Sequence, residues 1–327
     1  MEQHEVLTEQ PLIVSPDSVE ASQNRSFITA NTVPISLQEL KHDHLIPVFC
    51  KDMEPVISQN DFIEAMLEVA GNVFCDERIL NPVIRASHPI KGRVPDAKDK
   101  PVSELTEMEK TLYYDRLAFM MEIPTISDMI GGNEMSLSIG GVKSYAVENL
   151  YNKKGVDEHF KIFIGFQNKV CLNMCVWTDG LMSNVRVNTI GQLKACISTL
   201  LQSYNYGHHL FHMKKLCEYS LTEKQFALLI GRCRLYQHLQ PSVKADIPHL
   251  MFGDNQINAV CKDYFRNDSF CRNTKGQINL WKLYNLFTGA NKSSYIDNFM
   301  ERSVNAFDFV HSLRVALDTQ ADNWYLN

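Results

Sequence analysis

The sequence predicts an α+β fold, a meandering and mostly antiparallel sheet in the middle of the chain followed by a helical C-terminal half, because its two residue patterns are segregated and do not alternate. From Ile123 to Val187, β-rich runs are punctuated by turn residues, and after Asn188 apolar residues recur at helical spacing almost to the end. With 45% apolar and 21% charged residues, a chain of 327 residues can bury a substantial core.

Residues 1–36 read as a disordered acidic tail. They combine Pro11, Pro16 and Pro34 with polar residues and acids and show no sustained periodicity, so order is expected near Leu37. Residues 37–327 read as one α+β domain, with a β-rich core over about 122–187 and a helical part over about 188–320. Asn60 is placed to cap a helix carrying Phe62, Ile63, Met66, Leu67 and Ala70 up to Gly71. Val83–Ala86 looks like a short strand, and the prolines and bases of SHPIKGRVPDAKDKP predict an exposed loop. A long helix is expected from about Ser103, with Glu104 and Glu107 in its first turns and Leu105, Met108, Leu112, Leu117, Phe119 and Met120 buried.

Gly131-Gly132-Asn133 and Gly140-Gly141 are hairpin signals. HFKIFIGFQ and KVCLNMCVW read as strands joined through Gln167-Asn168, and Thr178-Asp179-Gly180 as a turn before Val185 and Val187. Helices are then expected over roughly 189–204, 207–219, 221–239, 254–266, 278–287 and 293–318. Thr222 with Gln225 reads as a capping-box variant, with Ser220 or Thr222 as the cap.

The formal charge of −6 is concentrated at the start: residues 1–40 hold Glu2, Glu5, Glu9, Asp17, Glu20 and Glu39 against Arg25 alone. The remainder is nearly neutral, which argues against whole-surface attraction to nucleic acid but allows a local basic patch. Nine cysteines without a CxxC pair read as reduced thiols of a cytoplasmic protein. No run approaches the ~18 apolar residues of a spanning helix, and the acidic start is unlike a signal peptide, so no membrane association is expected.

The stretch Gly276–Tyr295 reads as an amphipathic helix that stops at Gly289 and hands over to a polar cationic loop. Thr288–Ser294 holds the residue types that cradle phosphate, with Lys292 and Ser293 as candidate contacts, although the order of a nucleotide P-loop is missing. The plain alternative is a glycine-terminated helix followed by Ser293 as the next cap. A second basic set comprises Arg85, His88, Lys91, Arg93, Lys98 and Lys100, with Tyr113, Tyr114 and Arg116 available beside it for stacking and phosphate contact.

His208 and His212 are one helical turn apart, the spacing of paired metal ligands, with His209 and Cys217 nearby. The HExxH glutamate is missing and no further ligand is evident, so a solvated or interfacial histidine cluster is the expectation and neither a metal site nor a cofactor is assigned. Cys171 and Cys175, four apart on an expected strand, would lie roughly 13 Å apart and cannot share a zinc. Asp157, Glu158, His159 and Lys161 invite a metal-dependent nuclease argument, but a polar turn entering a strand explains the same residues. No Gly-x-Ser-x-Gly elbow occurs, and no catalytic residue is assigned.

The blocks IPVFCKDMEPVISQNDFIE, IRASHPIKGRVPDA, EMEKTLYYDR, GGVKSYAVENLYNKKGVDEHFKIFIGFQNKVCLNMCVWTDG and INLWKLYNLFTGANKSSYIDNFMERSVNAF resemble the signature blocks of an uncharacterised bacterial protein family carried on conjugative elements and prophages. The resemblance spans roughly residues 37–327 and brings no established activity. Val170-Cys171-Leu172-Asn173 with Trp281–Asn285 is distantly similar to the phage/plasmid-like protein family. Both resemblances imply a mobile-element setting.

The resulting reading is a non-enzymatic, DNA-associated accessory protein of a mobile element. Arg85, Lys91, Arg93 and Arg116 would contact the backbone, with Lys292 and Arg302 as a second phosphate contact. The alternatives are a protein-interaction or anti-restriction factor that presents its acidic tail to a host or element-encoded protein, and a metal-dependent nuclease.

Overall fold

The computed structural model describes residues 26–43, 57–97, 99–145, 157–266 and 271–327. Its centre is a seven-stranded antiparallel sheet. β1 (Val33–Ile35), β2 (Val83–Arg93), β3 (Lys110–Ile130), β4 (Asn133–Ser144) and β5 (Glu158–Asn168) lie side by side in chain order. β6 (Met174–Cys175) and β7 (Leu181–Val187) both pair along β5. The helices are α1 (Leu37–Asp43), α2 (Gln59–Val73), α3 (Ile190–Ser203), α4 (Tyr206–Leu216), α5 (Glu223–His238), α6 (Pro241–Lys244), α7 (Asp254–Phe265), α8 (Leu280–Asn291) and α9 (Ile296–Thr319). A short ribbon of β8 (Ser220–Leu221) and β9 (Ile278–Asn279) ties the start of α5 to that of α8. The α+β class and the order of sheet before helices are as the sequence predicts.

Both faces of the sheet are covered. Leu117, Phe119, Met121 and Ile123 of β3, with Leu137 and Ile139 of β4 and Phe160, Ile162, Ile164 and Phe166 of β5, join α2, α3 and α8 in the larger core. The intervening Ala118, Met120, Val142 and Phe163 pack on Phe27, Ile28 and the start of α9 through Ile296, Phe299 and Met300. Alternation along each strand sends successive side chains to opposite cores.

This double burial explains the main error of the sequence reading. The long helix expected from Ser103 is instead short 3₁₀ turns at Val102–Glu104 and Glu107–Glu109 followed by the 21-residue β3. A strand buried on both faces loses its polar alternation, and its apolar positions then also satisfy a helical template. Met108, expected inside, is exposed. β2 likewise continues to Arg93 through the expected loop, because it pairs with β3 as far as Lys110. Lys98 lies outside the described residues.

Other corrections are local. The tail boundary moves: Phe27 and Ile28 are buried and β1 pairs with β2, so residues 26–36 belong to the fold, while residues 1–25 lie outside the described residues. Ser58, not Asn60, caps α2; its hydroxyl accepts from Asp61 N at 3.0 Å, and the Asp61 carboxylate accepts from Ser58 N at 3.0 Å. Ser58→Ala is expected to cost about 1 kcal/mol in urea unfolding, the usual value of a lost cap. Gly131-Gly132 does form the two-residue β3–β4 turn, both with positive φ (54° and 82°), as a type I′ geometry requires. Gly140-Gly141 is no turn but lies inside β4. Residues 169–173 turn instead of extending a strand, so Cys171 sits in a turn and only Met174–Cys175 pairs. The Thr222–Gln225 capping box is present. Among the described residues, no helix is long and apolar enough to cross a membrane.

Candidate functional site

Among the expected phosphate contacts of β2 and β3, Arg85, His88, Arg93 and Arg116 are engaged within the chain. Arg85 Nε donates to Thr32 Oγ1 at 3.0 Å and Nη2 to Thr32 O at 2.7 Å, a clamp on the segment leading into β1, and burial lowers its pKa. Arg116 Nε lies 2.6 Å from Asp297 Oδ2 at the start of α9, and its Nη1 is 3.2 Å from His88 Nδ1. Arg93 donates to the Lys100 carbonyl, and Lys100 pairs with Glu109. The Lys91 backbone pairs with that of Leu112 in the β2–β3 register. Arg85 and Arg93, eight residues apart on one strand, are separated by roughly 26 Å.

The Thr288–Ser294 loop is organised differently from a phosphate cradle. α8 passes through Gly289 and ends at Asn291, so the segment follows a helix C-terminus, where the dipole is unfavourable to an anion. Lys292 Nζ donates to the Cys171 carbonyl, Ser293 Oγ to Ala290 O at 2.7 Å, and Arg302 reaches Met251 O and Ser294 Oγ at 3.0 and 2.9 Å. Tyr295, not Ser293, stands at the cap of α9. The loop thus fastens α8 to α9 and to the 169–173 turn. Asn173 and Asn285 serve the same junction: Asn173 Nδ2 donates to Asn285 O at 3.0 Å and Asn168 Nδ2 to Asn285 Oδ1 at 3.2 Å.

The expected acidic constellation is divided between the two faces of the sheet. Glu158 turns toward α2, where it pairs with buried Lys143 and accepts from Ile57 N at 2.8 Å. On the other face, His159 Nε2 lies 3.1 Å from Ser183 O, and Lys161 donates to Asp297 O at 2.6 Å and Glu301 Oε1 at 2.5 Å. Asp157 Oδ1 accepts from Asn188 Nδ2 at 3.3 Å. The strand alternation that separates Glu158 from Lys161 keeps them from converging on one ion or water.

The chemistry-bearing groups that do gather lie along α4. The Asn205 side chain caps this helix, accepting from His208 N at 2.9 Å. Helical spacing then aligns His208, Phe211, His212 and Lys215 on one outer face and turns His209 inward. Trp177, in the chain between β6 and β7, packs against His208 and His212 with ring centroids 5.0 and 4.9 Å away. Phe307 of α9 supports Trp177 at 5.5 Å, and His311 reaches His212 at 5.3 Å. His208 Nε2 and His212 Nε2 are 3.0 Å apart.

Beneath this crest His209 and Cys175 are sealed. His209 is fully buried against Phe166 and Phe307, with Nδ1 hydrogen-bonded to the Tyr204 hydroxyl, and burial pulls its pKa down to about 3. Burial, with Arg314 and His212 beside it, lowers His311 to about 4. Complete burial holds the Cys175 thiol far above its ordinary range, so it is no nucleophile. Cys217 ends α4 near Gly131, away from the two outer histidines.

Phe211 could have been found from its place in the His208–Lys215 helical stripe. Trp177 and His311 carry no such signal, because they join the crest only through tertiary packing.

A family model described as a domain of unknown function, B. Theta gene description (DUF3871), matches residues 7–326. No curated protein and no solved structure matches the chain.

Proposed function

The chain belongs to this DUF3871 family, whose function is unknown, and from its own geometry we propose a non-enzymatic, DNA-associated protein that receives single-stranded nucleic acid on the α4 crest. The observation that carries the reading is the aromatic stripe: Phe211 is 53% exposed, lies 5.5 Å from the His212 ring, and continues the row of Trp177, His208 and His212. Unpaired bases stack on such platforms without regard to sequence. Lys215 lies 5.7 Å from the Phe211 ring, and its pair with Glu218, like that of Lys214 with Asp128, is on the surface. Surface pairs are worth about 0–1 kcal/mol, so these ammonium groups exchange readily onto phosphate.

The cytoplasmic setting inferred from the thiols and the mobile-element context implied by resemblance are parts of the same proposal. The basic set first expected on β2 and β3 is not used by it, because Arg85 and Arg116 would have to leave Thr32 and Asp297.

Fluorescence anisotropy with labelled single- and double-stranded oligonucleotides across a salt series tests the reading. Single strands are expected to bind more tightly, with a shallow dependence of log K on log salt. Phe211→Ala should weaken binding about five- to hundredfold, the value of one lost base stack at about 1–3 kcal/mol. Absence of single-strand binding at low salt, or steep duplex binding lost on substituting Arg116, overturns it. The former result turns attention to a protein partner of the acidic residues 1–40.

A further inference from the structure

We propose that His208 and His212 form a two-nitrogen site for a divalent transition-metal ion that favours right-angle coordination, nickel or copper. Nothing in this proposal depends on the nucleic-acid reading.

The two Nε2 atoms face each other at 3.0 Å, with ring centroids 4.5 Å apart and ring planes at 81°. With metal–nitrogen bonds of roughly 2.0–2.1 Å, that separation subtends about 95° at the ion. A tetrahedral centre needs about 109°, which would place the nitrogens about 3.4 Å apart. The spacing therefore matches two neighbouring positions of a square-planar or octahedral centre, the geometries of nickel and copper with nitrogen ligands.

The pair is also held in place before any ion arrives. α4 fixes the one-turn spacing, Asn205 anchors its first turn, and Trp177 lies against both rings. Without metal, one imidazole presents its Nε2–H to the other Nε2. Binding moves that proton to Nδ1 of the same ring, so that both Nε2 lone pairs face the ion. Among the described residues, no three His, Cys, Asp or Glu side chains converge as metal ligands. A site of two histidines leaves its remaining coordination positions to water or to an incoming group.

The test is calorimetric titration of chelator-treated, full-length protein with nickel sulfate. Nickel avoids the thiol oxidation that copper would cause among the free cysteines. One nickel per chain is expected at this site, with zinc weaker. His208→Ala and His212→Ala should each reduce affinity at least tenfold, since even the loss of an outer-sphere partner commonly costs ten- to hundredfold. Because His208 is exposed, its alanine variant should keep the parent circular dichroism spectrum and melting temperature. His238→Ala, on α5, and Phe211→Ala should leave nickel binding unchanged. No nickel binding, binding that survives both histidine substitutions, or zinc tighter than nickel overturns the proposal.

Discussion

Lys143→Met is expected to destabilise the protein by about 3–5 kcal/mol, the cost of removing one partner from a buried ion pair. The Lys143 side chain is fully buried, and its partner Glu158 is 13% exposed. The ammonium also lies 4.1 Å from the Phe160 ring centroid, where the ring quadrupole favours a cation. Glu158 also accepts the Ile57 N–H at the entry to α2. Removing Lys143 alone leaves that carboxylate against an apolar core.

Lys143→Met combined with Glu158→Gln should recover most of the loss, since the amide still accepts from Ile57 N and no net charge remains buried. Urea unfolding of both single variants and the double variant yields the coupling energy directly. A single-variant cost below about 1 kcal/mol would show that water relieves the pair in solution. Neither substitution touches the α4 crest, so nickel and oligonucleotide binding should persist wherever the variants remain folded.

Gly140→Ala is expected to cost about 3 kcal/mol or more, the upper end of overpacking penalties. A Cβ at this position would run into the Phe119 carbonyl of the neighbouring strand and come within 2.7 Å of Phe163 Cζ. Gly141→Ala meets the opposite face, where the ring edge of Phe62 from α2 lies across the glycine and Lys161 O is 2.9 Å away. Phe62 is itself locked edge-on against Phe119 and Phe160, with centroids 5.0 and 4.9 Å away.

The two glycines thus admit one phenylalanine on each side of β4. Their backbone conformation is ordinary, so the penalty is steric and not conformational. A second-site change separates the two positions. Phe62→Leu should recover part of the Gly141→Ala loss because a side chain is the main obstacle. Phe163→Leu should not rescue Gly140→Ala, because the Phe119 carbonyl cannot move without breaking the β3–β4 ladder. Thermal melts of the four variants check this, and an equal rescue at both sites would show that the strands can part.

The contrast between Gly131-Gly132 and Gly140-Gly141 shows where sequence reading reached. Both are paired glycines in a β-rich region. The first occupies a left-handed turn that local backbone sterics can predict. The second exists for Phe62 and Phe163, whose approach depends on α2 and β5. Likewise, Thr222–Gln225 is a local cap and was legible, whereas Arg116 with Asp297 and Lys161 with Glu301 join residues far apart in the chain. An isolated basic residue looks free for a ligand until its partner is brought to it.

By itself the sequence determined the α+β class, the β3–β4 turn, the helices after Asn188 and the His208–His212 spacing. Each depends on side-chain periodicity or on steric and hydrogen-bond preferences acting within a few residues. Only the tertiary structure decided that β3 is a strand, because its apolar residues serve two cores at once. It also decided that Arg85, Arg116, Lys292 and Arg302 hold partners within the chain and that Trp177 and His311 complete the α4 crest, since charge pairing and ring packing act through space between distant residues.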